Sequence, residues 1–527
     1  MVGTGLLAVL SLLPSSALAA PPGPGTSVPD AVLPRAAAAP TGAERQVDAH
    51  LDRIRNRPAA LRAFFRGLPK GGDLHNHLSG AASTELLIKL AGDDGLCIET
   101  RTMTARPAPC GPGTRPAAQA RTDRAFHQRI LRAWSMQDFS SASGESGHDH
   151  FFAAFGKFGE VAWRHGGTLL ADVADTAARQ NQFYLETMLT PASSGSKKLA
   201  DQVGYHANLP RMHQLLVAGG KLDKLVREAG REIDKGTAEF RRAARCGTRK
   251  PGPGCRMTVR YISQVSRGGT PARVFTQMAL GMRLAERDRR YVAVNLVQPE
   301  DEANALRNYR LHMRMLDYLH GVYPRAHITL HAGELVPGLV KPEDLRFHIN
   351  EAVRTGHAER IGHGVDVAHE DNAPALLRTM ARRNIAVEVP FTSNRQILGV
   401  SGADHPFPLY RQYGVPVVLA TDDPGVSRSD ISTDYRYAAV TYGLRYRELK
   451  DLARASLEHA FLPGRGLWDT GSRGYGLARA CHAERPGVRP PRTACSRFLA
   501  KNPKAALEWR QEAAFARFEH RILHPRR

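Results

Sequence analysis

The chain reads as an α/β protein built on a (β/α)8 barrel with an N-terminal helix and disulfide-bearing insertions. Two observations predict this. Eight short apolar or β-branched runs alternate with helix-like stretches. Five segments carrying His, Asp or Glu fall at or just beyond the ends of such runs, which is where a barrel of this kind presents its chemistry. With 527 residues, 42% of them hydrophobic and 24% charged, the chain can hold one barrel with insertions.

The elements follow in order. Residues 1–19 resemble an export signal: an apolar core at 6–13, a break at Pro14-Ser15-Ser16 and the small-x-small site Ala17-Leu18-Ala19. The expected location is therefore secreted or periplasmic. Residues 20–42 are rich in Ala, Pro, Gly and Ser and read as a disordered linker. A charged helix is predicted over 42–65, with Leu51, Ile54, Leu61 and Phe64 at helical spacing. Strands are predicted at 73–78, 183–189, 258–265, 291–297, 327–331, 360–364, 386–390 and 416–421. Helices are predicted at 152–179, 272–289, 305–319, 345–355 and 373–383. The barrel so defined covers 43–462. An insertion at 92–123 interrupts its first βα unit, and 463–527 holds a second Gly/Arg/Pro-rich insertion and a final helix over 503–520.

The six cysteines fall into three close pairs: Cys97 and Cys110, Cys246 and Cys255, Cys481 and Cys495. Many pairings are possible on paper. Local pairing is the simplest, because each bridge would close one inserted loop, and an oxidising compartment would preserve it. No C-x-x-C occurs, which argues against a thiol-ligated zinc site and excludes the cytidine-type deaminase pattern.

The mean hydropathy of −0.36 and the lack of a long apolar run argue against a transmembrane helix. The formal charge of +22 suggests a nucleic-acid binder, but the arginines are spread along the whole chain without a recognition motif. A solvated basic surface is the better reading, with weak binding to polyanions left open and no specific nucleic-acid partner expected. The oligomeric state is not legible.

The chemistry-bearing segments are His75-Asn76-His77, His331-Ala332-Gly333-Glu334, Arg360-Ile361-Gly362-His363-Gly364, Thr392-Ser393-Asn394 and Thr421-Asp422-Asp423-Pro424. His75 and His77, two apart on a strand, share one face, which would be the barrel interior. His331 ends an apolar run, and Glu334 lies close enough beyond it to reach a ligand. His363 lies between glycines that leave its ring open to a pocket. Two adjacent carboxylates at the end of a buried strand, Asp422 and Asp423, are costly without a metal or hydrogen bonds. Together these side chains can hold one metal ion and activate water.

In order and rough spacing, these segments resemble the adenosine deaminase family, over about residues 69–462. The resemblance implies a barrel holding one Zn2+, with His75, His77, His331 and Asp422 as ligands. It implies that the metal makes water nucleophilic toward C6 of the purine. Glu334 would protonate N1. His363 would orient the water and steady developing charge, and Asp422 would share in catalysis. Asp423 would hydrogen-bond N7; Ser79, Gln298 and His77 complete the expected substrate contacts. The implied reaction converts adenosine or 2′-deoxyadenosine to inosine or 2′-deoxyinosine plus ammonia, with a purine nucleoside as the small-molecule partner. The export signal and cysteine-bearing insertions look similar to the secreted, growth-factor-type branch.

Two departures bear on substrate. Ser79 stands where adenosine-specific members carry an Asp that takes a ribose hydroxyl. In Asn295-Leu296-Val297-Gln298-Pro299-Glu300, Gln298 stands where the family has a Gly whose N–H meets purine N3. They keep open a deaminase for another 6-aminopurine, such as adenine, an N6-substituted AMP or an aminofutalosine. A growth-factor-like binding protein with residual deaminase activity is a further alternative. A two-metal amidohydrolase is disfavoured because residues 291–298 contain no Lys.

Overall fold

Eight parallel strands pair in chain order: β1 Gly71–His77, β2 Gln182–Leu189, β3 Thr258–Ser266, β4 Tyr291–Val297, β5 His327–Ala332, β6 Arg360–His363, β7 Ala386–Val389 and β8 Val417–Leu419. Each lies close to its expected bounds, and helices cover the outside in the manner of a (β/α)8 barrel. This is a computed structural model, describing residues 40–469, 475–486 and 491–525. The signal-like stretch 1–19 and most of the linker lie outside the described residues.

The barrel closes between β1 and the residue just beyond β8. The His77 N–H donates to the Asp422 carbonyl at 3.0 Å, and the Asp422 N–H donates to the His75 carbonyl at 2.9 Å. Closure therefore runs through expected site residues, which ties their positions to completion of the fold.

The predicted helix 42–65 is two helices, Gly42–Ile54 and Pro58–Gly67. The first starts with a capping box, in which Thr41 and Glu44 satisfy each other's backbone donors. Pro58 lacks an N–H and its ring crowds the preceding turn, so it ends the first helix and opens the second. The predicted helix 152–179 also divides, into Gly147–Ala162 and Gly166–Arg179. At the break Gly167 packs so closely on the neighbouring helix Lys221–Ala243 that a Cβ would lie 2.3 Å from the Gly236 carbonyl. Helices Pro271–Arg287, Ala303–Val322, His348–Arg354 and Ala373–Arg382 match the remaining expectations. The final helix, Pro503–Leu523, docks on the N-terminal helices: the Phe518 and Phe64 rings meet at 5.1 Å, and Lys450 bridges Glu44 and Glu519 at 2.8 and 2.9 Å.

All three local cysteine pairs are bonded, with Cα separations of 5.4, 5.6 and 4.7 Å. The first bridge braces a small antiparallel sheet of Cys97–Glu99, Ala105–Arg106 and Thr114–Pro116 inside the 92–123 insertion. Among the described residues, no helix is long and apolar enough to cross a membrane.

The barrel floor is charged rather than purely apolar. Arg360 pairs with Glu186 at 2.6 Å and with Glu388, and its guanidinium lies 3.8 Å from the Phe461 ring centre. Buried charges are tolerable only when paired and hydrogen-bonded, and this network meets that condition directly beneath the site.

Candidate metal centre and active site

Strand alternation turns His75 and His77 to one side of β1, into the barrel, while Asn76 faces Thr187 and Thr421. His331 arrives from the end of β5, His363 from β6, and Asp422 from beyond β8. His75 Nε2 and His77 Nε2 lie 3.3 and 3.2 Å from Asp422 Oδ1, and His77 Nε2 lies 3.2 Å from His331 Nε2. Donor atoms of His75, His331, His363 and Asp422 fall within 4.8 Å of one another, as do those of His77, Asp422 and Asp423. Three expected ligands, His75, His331 and Asp422, thus share one group, whose fourth member is His363; the remaining one, His77, joins Asp422 and Asp423 in a second group that shares Asp422 with the first.

The site fits a cation. His75 Nε2 and His363 Nε2 are buried without a hydrogen-bond partner, and two Nε2 atoms face each other across 3.2 Å. Such crowding of imidazole nitrogens around a carboxylate suits a divalent metal that takes nitrogen and oxygen ligands. Burial, then the neighbouring His75 and His77, hold the His331 pKa well below the usual histidine range, so its ring is neutral, as a ligand must be.

Each ring is held from behind. His75 Nδ1–H donates to Glu388 at 2.7 Å, and His331 Nδ1–H donates to Asn295 Oδ1 at 2.9 Å. The Gln264 amide lies 2.7 Å from His77 Nδ1, and the Asn394 amide 2.8 Å from His363 Nδ1. Ser393 donates to Asp422 Oδ2 at 2.7 Å. Such partners orient metal ligands. Asn394 and Ser393 belong to a motif visible in the sequence, and Asn295 opens the segment 295–300 singled out there, without a role; Glu388 and Gln264 were missed. Glu388 is a lone carboxylate in an apolar strand, whereas Gln264 shares its strand with Thr258, Arg260 and Ser263, so nothing local marks it out.

Glu334 is 6% exposed, with its Oε1 3.5 Å from His363 Nδ1. Burial, opposed by His363 and reinforced by Asp422 and Glu300, pushes its carboxyl up to about 7. Glu300 fixes the segment by accepting the N–H groups of Gly333 at 3.2 Å and Glu334 at 2.9 Å. Asp423 is also buried, its Oδ1 has no partner, and burial followed by the Asp422 charge raises its pKa well above the usual range. It is therefore placed to donate a hydrogen bond to a ligand.

Ser79 is half-buried in the short turn Leu78–Ala81 that follows β1. Gln298 is exposed, and its side chain turns back to accept the Gly268 N–H at 3.1 Å. The backbone keeps a positive φ of 83° there, a conformation suited to Gly.

Gly80 is required by close approach. A Cβ there would lie 1.9 Å from Asp423 Oδ1. Gly80→Ala is expected to displace Asp423 and lower kcat/KM for the preferred substrate by roughly 100-fold, the scale of a misplacement of about 1 Å. Steady-state kinetics would check this, and unchanged kcat/KM would contradict the packing.

The family model described as Adenosine deaminase matches residues 168–467, more than half of the chain. An adenosine deaminase from Salmonella heidelberg (strain SL476) is 42% identical over 137 residues, which is 26% of this chain and 38% of that relative. The match thus spans well under half of the relative's length. Among solved structures, the N6-methyl-AMP deaminase of Arabidopsis thaliana has a TM-score of 0.49 and 20% identity, covering 76% of this chain and 94% of its own. A Burkholderia ambifaria amidohydrolase with bound Zn has a TM-score of 0.45 and 17% identity, covering 82% and 91%.

Proposed function

The chain belongs to the adenosine deaminase family, and from that premise we propose that it hydrolyses adenosine and 2′-deoxyadenosine to inosine and 2′-deoxyinosine with release of ammonia. The observation that carries this reading is a buried carboxyl with its pKa near 7, Glu334, set beside a His/Asp cluster. A general acid is most useful when its pKa lies near the working pH.

His75, His77, His331 and Asp422 would hold one Zn2+, which supplies Lewis acidity and makes water nucleophilic at neutral pH. Glu334 delivers its proton to purine N1, drawing electrons from C6 and opening it to attack. Asp423 donates to N7 and orients the base. His363 faces the attacking water and steadies charge as it builds. Burial of these groups excludes bulk water, so each hydrogen bond acts in a low-dielectric site. Ammonia leaves from C6, and the oxygen of water remains there.

Ser79 supports the other reading, a phosphorylated or modified 6-aminopurine, because a hydroxyl repels phosphate less than the family's Asp would. An exported location also belongs to this proposal, with the three disulfides as its support. The test is metal analysis of purified, oxidised protein together with rates on adenosine, 2′-deoxyadenosine, AMP, N6-methyl-AMP and adenine. Adenosine and deoxyadenosine are expected to be fastest, with activity abolished by chelation and restored by Zn2+. A preference for AMP or its N6-methyl form would replace the nucleoside reading.

A further inference from the structure

A buried chain of hydrogen bonds leads away from His363. The Asn394 amide bridges His363 Nδ1 at 2.8 Å and His405 Nε2 at 2.9 Å. Beyond it, the backbone nitrogen of Phe407 lies 3.1 Å from His405 Nδ1. The far end sets the direction of every bond in the chain. A backbone N–H can only donate, so His405 Nδ1 accepts and carries no proton. His405 is 1% exposed, and burial, then the nearby His363, lowers its pKa to about 3. The ring is therefore neutral, and its single proton must sit on Nε2.

That proton needs an acceptor, which the Asn394 amide oxygen supplies. The oxygen and nitrogen of an amide are assigned by what surrounds them. With its oxygen toward His405, Asn394 turns its NH2 toward His363, and His363 Nδ1 must accept. A neutral His363 then carries its proton on Nε2, which is buried and without a partner, on a ring that belongs to the His/Asp group.

Two neighbouring rings run the other way. The Glu388 carboxylate can only accept, so His75 donates through Nδ1, and in the neutral form that a metal ligand takes, its Nε2 is bare. Asn295 Oδ1 takes both the backbone N–H and the Nδ1–H of His331 at 2.9 Å each, which identifies it as the oxygen and leaves His331 Nε2 bare. Similar rings in one cluster are thus sorted into lone-pair donors and a proton donor by what stands behind them.

We propose that the Phe407 N–H, His405 and Asn394 form a relay that fixes His363 as an Nε2–H donor. The relay excludes His363 from the metal ligands and makes it a hydrogen-bond donor to the attacking oxygen rather than a base. His405 is a positioning residue, acting on the reaction only through Asn394 and His363. What the Nε2 proton does rests on the deaminase reading; where the proton sits does not.

The test is nitrogen-15 NMR of the histidine-labelled holoenzyme near neutral pH, with His363 signals assigned by their loss in His363→Asn. Expected is a pyridine-like Nδ1 and a pyrrole-like Nε2 for His363, against pyrrole-like Nδ1 signals for His75 and His331. A pyrrole-like Nδ1 on His363 overturns the proposal. In Asn394→Asp the carboxylate accepts from both rings, so the two His363 signals exchange character, and kcat falls roughly 10–100-fold with little change in KM. His405→Leu frees the amide to turn, giving mixed His363 tautomers and a similar loss in kcat. A His363 spectrum unchanged in both variants overturns the relay. If the parent shows the expected spectrum yet deaminates no aminopurine, the deaminase reading falls and the relay stands.

Discussion

In the proposed deamination of adenosine, Glu334→Gln is expected to be about 10²- to 10⁴-fold slower than the parent, yet to be the more stable protein above neutral pH. The first effect follows because an amide keeps the shape and burial of the carboxyl but has no acidic proton for N1. The parent's kcat/KM should also fall about tenfold per pH unit once the pH exceeds the pKa of about 7, because only the protonated acid works. The variant should show a low residual rate without that limb.

The stability effect comes from the same burial. Folding raises the Glu334 pKa from the ordinary value of 4.5 to about 7. A raised carboxyl contributes its stability below the unfolded pKa and loses it as pH rises through the folded one. Between those two values the parent gives up stability on the order of a few kcal/mol. The variant has no such group, so the two metal-free proteins should unfold alike at about pH 4, and the variant at higher temperature at about pH 8. Full activity in the variant removes Glu334 as the acid. Identical melting at both pH values removes the raised pKa.

Glu388→Gln should cost the protein both stability and metal. Glu388 accepts from His75 Nδ1 at 2.7 Å and from Thr329 at 2.9 Å, and it pairs with Arg360. Burial alone would raise its pKa, but Arg360 and His75 outweigh burial and hold it at about 2. Without this carboxylate, Arg360 keeps a single buried counter-charge, Glu186. Breaking a buried pair from one side costs about 3–5 kcal/mol. A depressed carboxyl contributes its stability above the unfolded pKa and loses it as pH falls through the folded one. The gap between parent and variant should therefore be widest near neutral pH and narrow as pH falls from about 4.5 toward about 2. His75 also loses its anionic partner, which should weaken metal binding roughly 10–100-fold in chelator competition. An unchanged urea midpoint with unchanged metal retention would remove Glu388 from both roles.

These two residues differ in how far the sequence announced them. Glu334 stands out because it follows a His at the end of an apolar run. Glu388 is one carboxylate between Val387 and Val389, and the alternation of a half-exposed strand would give the same pattern. Its partner His75 is 313 residues away, and Gln264 is 187 residues from His77. Nothing local records such pairings. Most of the strands were legible because their runs are buried on both faces and bounded by turn residues; Thr258–Ser266, only partly buried, is the exception. Helix breaks at Pro58 and near Gly167 were missed because apolar spacing continues across them, and apolar spacing was the signal used.

From the sequence alone came the order of the strands, the local cysteine pairs and the inventory of imidazoles and carboxylates at the strand ends. These are set by residue type and by neighbours a few positions away. Only the closed barrel decided that Glu334 and Asp423 are driven toward their protonated forms. Only the closed barrel set which nitrogen of each imidazole faces inward, and that Gln298 points away from the site. Proton affinity and tautomer depend on the dielectric and on partners within a few ångströms, and those partners meet only when β1 is sealed against the end of β8.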